Sequence, residues 1–157
     1  MQDKNGTEME TGNIVEITGA YFKNDNGLYF ITRSPGDPGW SGNYYSLTRI
    51  SSSGKISKAK YNLCSWPIGV FVSDRAKRKE ALVWNTERAK VEIKTVSNTE
   101  EIAAYFQAKA EGMSEDIRRR IYDWGEEHPE VQKQKEIRAH YAAVAQRVQN
   151  HEDTGRF

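Results

Sequence analysis

The chain has 157 residues and a mass of 18.0 kDa, which suits one domain with a core of its own. A single cysteine, Cys64, excludes an intrachain disulfide and a cysteine-rich zinc site. The 23 basic and 22 acidic residues leave a net charge of +1, which taken as a whole argues against a nucleic-acid partner.

In chain order, residues 1–12 are polar and read as a flexible tail, with no apolar stretch like that of a secretion signal. Ile14, Val15 and Ile17 then lead through Gly19 to Tyr21 and Phe22, a strand pattern. Lys23 to Gly27 is a turn, in which Asn26-Gly27 supplies positive φ, and Leu28 to Thr32 is the returning strand of a hairpin. Ser34 to Gly42 carries two prolines and three glycines and reads as a long loop around Trp40. Tyr44, Tyr45, Leu47 and Ile50 mark a third strand, Ser51 to Gly54 a turn, and Lys55 to Lys60 a fourth strand. Val70, Phe71 and Val72 form a short apolar strand.

Asp74 has the chemistry of a helix N-cap, and the good helix formers from Arg75 to Arg88 predict a helix near 74–89. Lys90 to Val96 alternates and returns as a strand. The remainder predicts three helices, over 98–111, 114–124 and 129–149. Thr99 and Ser114 are caps, Gly112 and Gly125 are stops, and Pro129 stands at a first helical position. Ile137, Tyr141, Val144 and Val148 recur at helical spacing and form an amphipathic stripe. Residues 151–157 read as frayed. The expectation is an α+β protein. A small bent antiparallel sheet or partial barrel with one inserted helix spans 13–97, and a three-helix part spans 98–150.

The charge is unevenly spread. Residues 12–95 hold 13 basic and 7 acidic side chains, or +6, while residues 98–157 hold 9 and 12, or −3. The neutral total is therefore a cancellation between a basic β-rich part and acidic flanks.

Candidate sites follow from these patterns. Arg75, Lys77, Arg78 and Lys79 would lie along a phosphate backbone if their segment is helical; the same cluster also reads as a solvated helix face. Trp40, Tyr44 and Tyr45, with Tyr21 and Tyr29, have the character of aromatics that stack on bases. They equally suit a core that is short of leucine. Arg118, Arg119 and Arg120 cannot share one helix face, so at least one is expected against Trp124 or an acid. Arg119 remains a candidate partner contact, and the stripe Ile137, Tyr141, Val144 and Val148 a candidate seam of a homodimer. The three histidines, His128, His140 and His151, lack metal-ligand spacing, and no glycine-rich phosphate loop is present. No cofactor, metal or catalytic residue is expected, and Cys64 reads as a small buried residue. With no run near the roughly 20 apolar residues a bilayer requires, no membrane partner is expected, and the composition suits the cytoplasm.

The stretch Gly12-Asn13-Ile14-Val15-Glu16-Ile17-Thr18-Gly19-Ala20-Tyr21-Phe22-Lys23, with Gly27-Leu28-Tyr29-Phe30-Ile31, resembles the start of a KOW-type small β-barrel. That resemblance implies binding of RNA, ribosomal components or proteins rather than catalysis. The longer run through Trp40, Cys64-Ser65-Trp66-Pro67-Ile68, Ser73-Asp74-Arg75, Trp84-Asn85 and Val91-Glu92-Ile93 resembles small accessory domains of Firmicutes phages and conjugative elements, some associated with large polyvalent proteins. It implies a mobile-element role, including interference with host defence. The resulting expectation is a non-enzymatic protein that contacts nucleic acid or a nucleoprotein complex. In a variant of it, the acidic helical part meets a host defence complex such as a CRISPR effector. The alternative is a protein–protein adaptor or homodimer built on the C-terminal helices.

Overall fold

A computed structural model of the chain describes residues 6–19, 26–51, 55–66, 69–74, 79–83, 85–86, 89–90, 92–96 and 100–152. Seven strands form one antiparallel sheet: β1 (Ile14–Thr18), β2 (Gly27–Arg33), β3 (Tyr45–Ile50), β4 (Ile56–Trp66), β5 (Gly69–Asp74), β6 (Lys79–Val83) and β9 (Glu92–Val96). Short β7 (Asn85–Thr86) and β8 (Ala89–Lys90) pair separately. The sheet order β6-β5-β4-β3-β2-β1-β9 is a meander whose last strand returns to the first. Two helices follow, α1 (Glu100–Trp124) and α2 (Pro129–Glu152).

The expected hairpin is present, with Ile14 opposite Phe30 and Ile17 opposite Gly27. Alternation along these strands sorts their side chains to two cores. Val15, Ile17, Tyr29, Ile31, Leu47 and Leu63 share one face, joined by Met9 of the N-terminal arm. Ile14 and Phe30 point the other way, into a core completed by Ile102 and Phe106 of α1 and Tyr141, Val144, Ala145 and Val148 of α2. Phe30 meets Tyr105 and Phe106 edge-on, with centroids 5.1 and 6.3 Å apart, and Phe106 stacks on Tyr141 at 6.1 Å. Sheet and both helices thus meet in one aromatic cluster, whose edge-to-face geometry matches positive ring edges to negative faces.

Four expectations require correction. The predicted inserted helix is replaced, over the residues described, by β6, β7 and β8. Lys79–Val83 pairs along β5, Val70 opposite Val83 and Asp74 opposite Lys79, because the backbone groups of an apolar strand need partners more than this segment needs its helix propensity. The C-terminal part has two helices, not three. Gly112 lies inside α1, exposed and with nothing within 4 Å of where a Cβ would stand. The stripe Ile102, Phe106, Ala110, Ile117 stays in phase across it, and burial of that stripe outweighs the roughly 1 kcal/mol that an interior glycine costs. The N-terminal segment is not simply a free tail, for Met9 and Thr11 are both 2% exposed. The stripe of α2 is not a free seam either. Tyr141, Val144 and Val148 are buried within this chain.

Two glycines let the loops approach α2. A Cβ on Gly12 (φ +94°) would stand 2.7 Å from Val148 Cγ2, and one on Gly39 (φ +76°) 2.6 Å from Ile137 Cδ1. Both positions combine a left-handed backbone with a close contact, so glycine is required twice over. At the far end of the hairpin, α1 stops at Gly125, whose N–H donates to the Ile121 carbonyl at 2.8 Å. His128 Nδ1 then caps α2 by accepting from the Glu130 N–H at 3.2 Å, beside Pro129 in the position expected. None of the helices described is long and apolar enough to cross a membrane.

Candidate functional site

The end of β2 holds the detail on which the site depends. From Leu28 to Ile31 the register with β3 is regular, but Arg33, not Thr32, stands opposite Ser46. One extra residue is therefore inserted at Thr32, whose buried hydroxyl donates to the Ser46 carbonyl at 3.0 Å. By simple alternation Arg33 would share the face of Tyr29 and Ile31. The bulge re-aims it toward the helices. There its guanidinium lies over the Trp40 ring, 4.9 Å from the centroid.

Trp40 is fixed from two further directions. Its indole N–H donates to the Tyr44 carbonyl at 2.9 Å, and the Tyr44 ring meets it edge-on at 5.0 Å. The loop turns through Asp37, whose N–H donates to the Ser34 carbonyl at 3.1 Å and whose carbonyl accepts from the Trp40 N–H at 3.0 Å.

Arg33, Gly39, Lys109, Met113, Lys133, Gln134, Ile137 and Tyr141 line a cleft of about 370 Å³ between this loop and the two helices. Three cations from β2, α1 and α2 line it, and among the described residues no carboxylate does. Lys109 Nζ stands over two rings, 5.4 Å from Tyr105 and 5.1 Å from Tyr141, where their π faces favour a cation. Burial, together with the nearby Tyr141, raises the Tyr105 phenol above its usual value, while Arg33 pulls the other way. The cleft thus concentrates positive charge against a partly desolvated aromatic wall, an arrangement that attracts an oxyanion.

The same loop walls a second cavity of about 300 Å³, lined among others by Glu8, Glu10, Thr11, Ser34, Asp37, Tyr45, His140 and Arg147. Asp37 is its centre. It accepts from the Ser34 N–H at 2.9 Å and from the Thr11 hydroxyl, and lies 3.3 Å from His140 Nε2. With the Thr11 proton directed to Asp37, the Ser34 hydroxyl donates to Thr11 Oγ1 at 2.7 Å. Arg147 bonds the Thr11 carbonyl and pairs with Glu10 at 3.2 Å. Both hydroxyls are thereby committed to the carboxylate chain rather than to the imidazole, and His140 Nε2 is buried facing Asp37 without an aligned hydrogen bond. The arrangement ties the Trp40 loop and the N-terminal arm to α2. Burial, with Glu8, Asp37 and Glu10 adding to it, raises the Tyr45 phenol to about 12. No group of three or more metal-ligating side chains occurs among the described residues.

The residues expected to act fall in different places. Trp40 and Tyr44 are half-buried and pack on each other, so Trp40 serves as the platform of Arg33. Tyr45 is 4% exposed and stands in the wall of the second cavity, away from the Arg33 cleft. Arg75, Lys77 and Arg78 lie outside the described residues, as do Tyr21 and most of the expected turns, Lys23 to Gly27 and Ser51 to Gly54. The side chains of Cys64 and Lys79 also lie outside them, although both residues belong to strands. Arg119 is exposed on α1, while Arg120 lies over Trp124 at 5.5 Å and pairs with Glu130 at 3.5 Å, as one arginine of that run was expected to do. Ile137 lines the cleft and seats Gly39. Arg33, Lys109 and Lys133 are absent from the sequence-level candidates: they are scattered singly along the chain, and only the bulge and the helix pairing bring them together. Compared with known proteins, the chain matches no family model, no curated protein and no solved structure.

Proposed function

We propose that this chain is a non-enzymatic binding protein that contacts nucleic acid, alone or within a nucleoprotein complex, through the cleft between the Trp40 loop and the helical hairpin. The observation that supports this most is that Arg33, Lys109 and Lys133 line one cleft in whose wall no carboxylate stands among the described residues, in a chain whose net charge is only +1. Arg33 suits phosphate because a planar guanidinium matches two phosphate oxygens with two N–H groups, and its place over the Trp40 ring limits where it can lie. The Arg75–Lys79 segment is a second cationic candidate, read from sequence. A setting in a mobile genetic element, and action against a host defence complex, draw their support from the resemblance of the run from Gly12 to Ile93.

The test is single-stranded oligonucleotide binding at 50 and 200 mM salt. Affinity is expected to fall between about threefold and about twentyfold, according to whether one or three phosphate charges are neutralised. Charge reversal by Lys109→Glu or Lys133→Glu is expected to abolish it. An absence of binding at low salt, or binding indifferent to both reversals, overturns the proposal for this cleft.

A second reading, contact with a protein partner, is favoured by the tip of the hairpin, where Tyr122 is 91% and Trp124 51% exposed. Pull-down from host extract with and without nuclease separates the two, since only a nucleic-acid bridge is lost on digestion.

A further inference from the structure

We propose that the Arg33–Lys109–Lys133 cleft seats the terminal phosphomonoester of a nucleic-acid strand rather than the diester phosphates along its length. This rests on the reading of the cleft as the nucleic-acid contact, and specifies which group enters it.

The shape points to an end. A protein that tracks a strand needs a groove spanning several nucleotides. The volume here, about 370 Å³, is at the small end of the range for small-molecule pockets. Its walls come from four parts of the fold: Arg33 at the end of β2, Gly39 in the loop, Lys109 and Met113 on α1, and Lys133, Gln134, Ile137 and Tyr141 on α2. The left-handed turn at Gly39 seats the loop against Ile137.

The charge points to a dianion. An internal diester carries one negative charge and two free oxygens. A terminal phosphomonoester carries about −1.5 to −2 at neutral pH and three strong acceptor oxygens. Three cations lining one small cavity match the second group better than the first. They also differ in kind. Arg33 lies over the Trp40 ring and is a planar fork by its chemistry. Lys109 is a point charge held over two tyrosine rings. Lys133 is exposed on α2 at the rim. Three cations of different kinds match a group with three acceptor oxygens, whereas a bridging phosphate leaves only two unesterified.

The experiment uses the full chain and one single-stranded oligonucleotide sequence in three forms: 5′-phosphorylated, 3′-phosphorylated, and hydroxyl at both ends. At least one phosphorylated form is expected to bind about tenfold more tightly than the unphosphorylated one, from the added charge in a partly desolvated cleft. That advantage is expected to shrink to about twofold or less in Arg33→Gln and in Lys133→Gln, and to persist in Lys55→Gln, a change outside the cleft. Lys133 is an exposed helix position, so its variant tests the idea even if Arg33→Gln disturbs the loop.

Equal binding of all three forms overturns the strand-end proposal while leaving nucleic-acid contact intact. Absence of binding by any form overturns both. Displacement of the phosphorylated strand by a nucleoside 5′-monophosphate, or by a phosphoserine peptide, at the concentration at which unlabelled strand displaces it also overturns the proposal. The ligand would then be a free nucleotide or a phosphoprotein.

Discussion

Replacing Gly12 by alanine tests how the N-terminal arm is docked, and a second glycine provides its control. Gly12 and Gly36 have nearly the same backbone, φ +94° and φ +90°, but a Cβ at Gly36 meets nothing within 4 Å. Gly36→Ala therefore pays only the left-handed conformation of an L-residue, about 1–2 kcal/mol. At Gly12 the new methyl lies 2.7 Å from Val148 Cγ2 and 3.0 Å from Val144 Cγ1. Both valines are buried, and a β-branched side chain on a helix has essentially one rotamer, so neither swings aside. Overpacking adds about 1–3 kcal/mol, for a total of about 2–5 kcal/mol. In urea titrations the Gly12→Ala midpoint should lie below that of Gly36→Ala at an unchanged slope. In thermal unfolding of a chain of 157 residues the gap should be roughly 2–12 °C. Val148→Ala makes room for the methyl, so in the double variant the cost of Gly12→Ala should fall toward that of Gly36→Ala. The reasoning is refuted if the two glycine variants agree within about 0.5 kcal/mol, or if removing Val148 leaves the cost unchanged.

Other expectations follow from the same packing. Phe106→Ala empties the point where Phe30, Tyr105 and Tyr141 meet, and should cost about 3–5 kcal/mol by denaturant titration. Asp37→Ala leaves the buried Thr11 hydroxyl and the Ser34 N–H without their acceptor and should cost about 2–4 kcal/mol, while Asp37→Asn keeps an acceptor oxygen and should cost less; equal losses would contradict the hydrogen-bond account. The folded state holds the Tyr45 phenol at about 12 against an ordinary 10.0. The stability this contributes is whole below pH 10 and lost as pH rises toward 12, because only the unfolded chain ionises easily there. Denaturant midpoints measured across that interval should fall less steeply in Tyr45→Phe than in the wild type, with Tyr105, raised in the same direction, adding to the remaining slope.

Much of the local structure was legible in the residues. The alternation of Ile14, Val15 and Ile17 against Leu28 to Thr32 predicts the β1–β2 hairpin, and its observed pairing follows. The i, i+4, i+7, i+11 stripe of α2 is legible for the same reason: burial on one side imposes the period of the element. What the stripe faces was not legible. Amphipathicity is the same whether the apolar side meets a second copy or the chain's own sheet, and Phe30 and Phe106 are what occupy that side.

The sequence by itself determined the mixed α+β class, the leading strands, the loop around Trp40 and the charge cancellation behind a net +1. The elements are set by neighbours a few residues apart, and the charge balance by composition alone. The tertiary structure alone decided that Lys79–Val83 pairs as a strand, that α1 runs through Gly112, and that Tyr45 is buried. It also decided the site. An inserted residue at Thr32 reverses the face on which Arg33 emerges, and α1 and α2 bring Lys109 and Lys133 to the same cleft. A reversal of face by one residue leaves no mark on composition or period, because it depends on which carbonyl across the ladder Thr32 finds to bond.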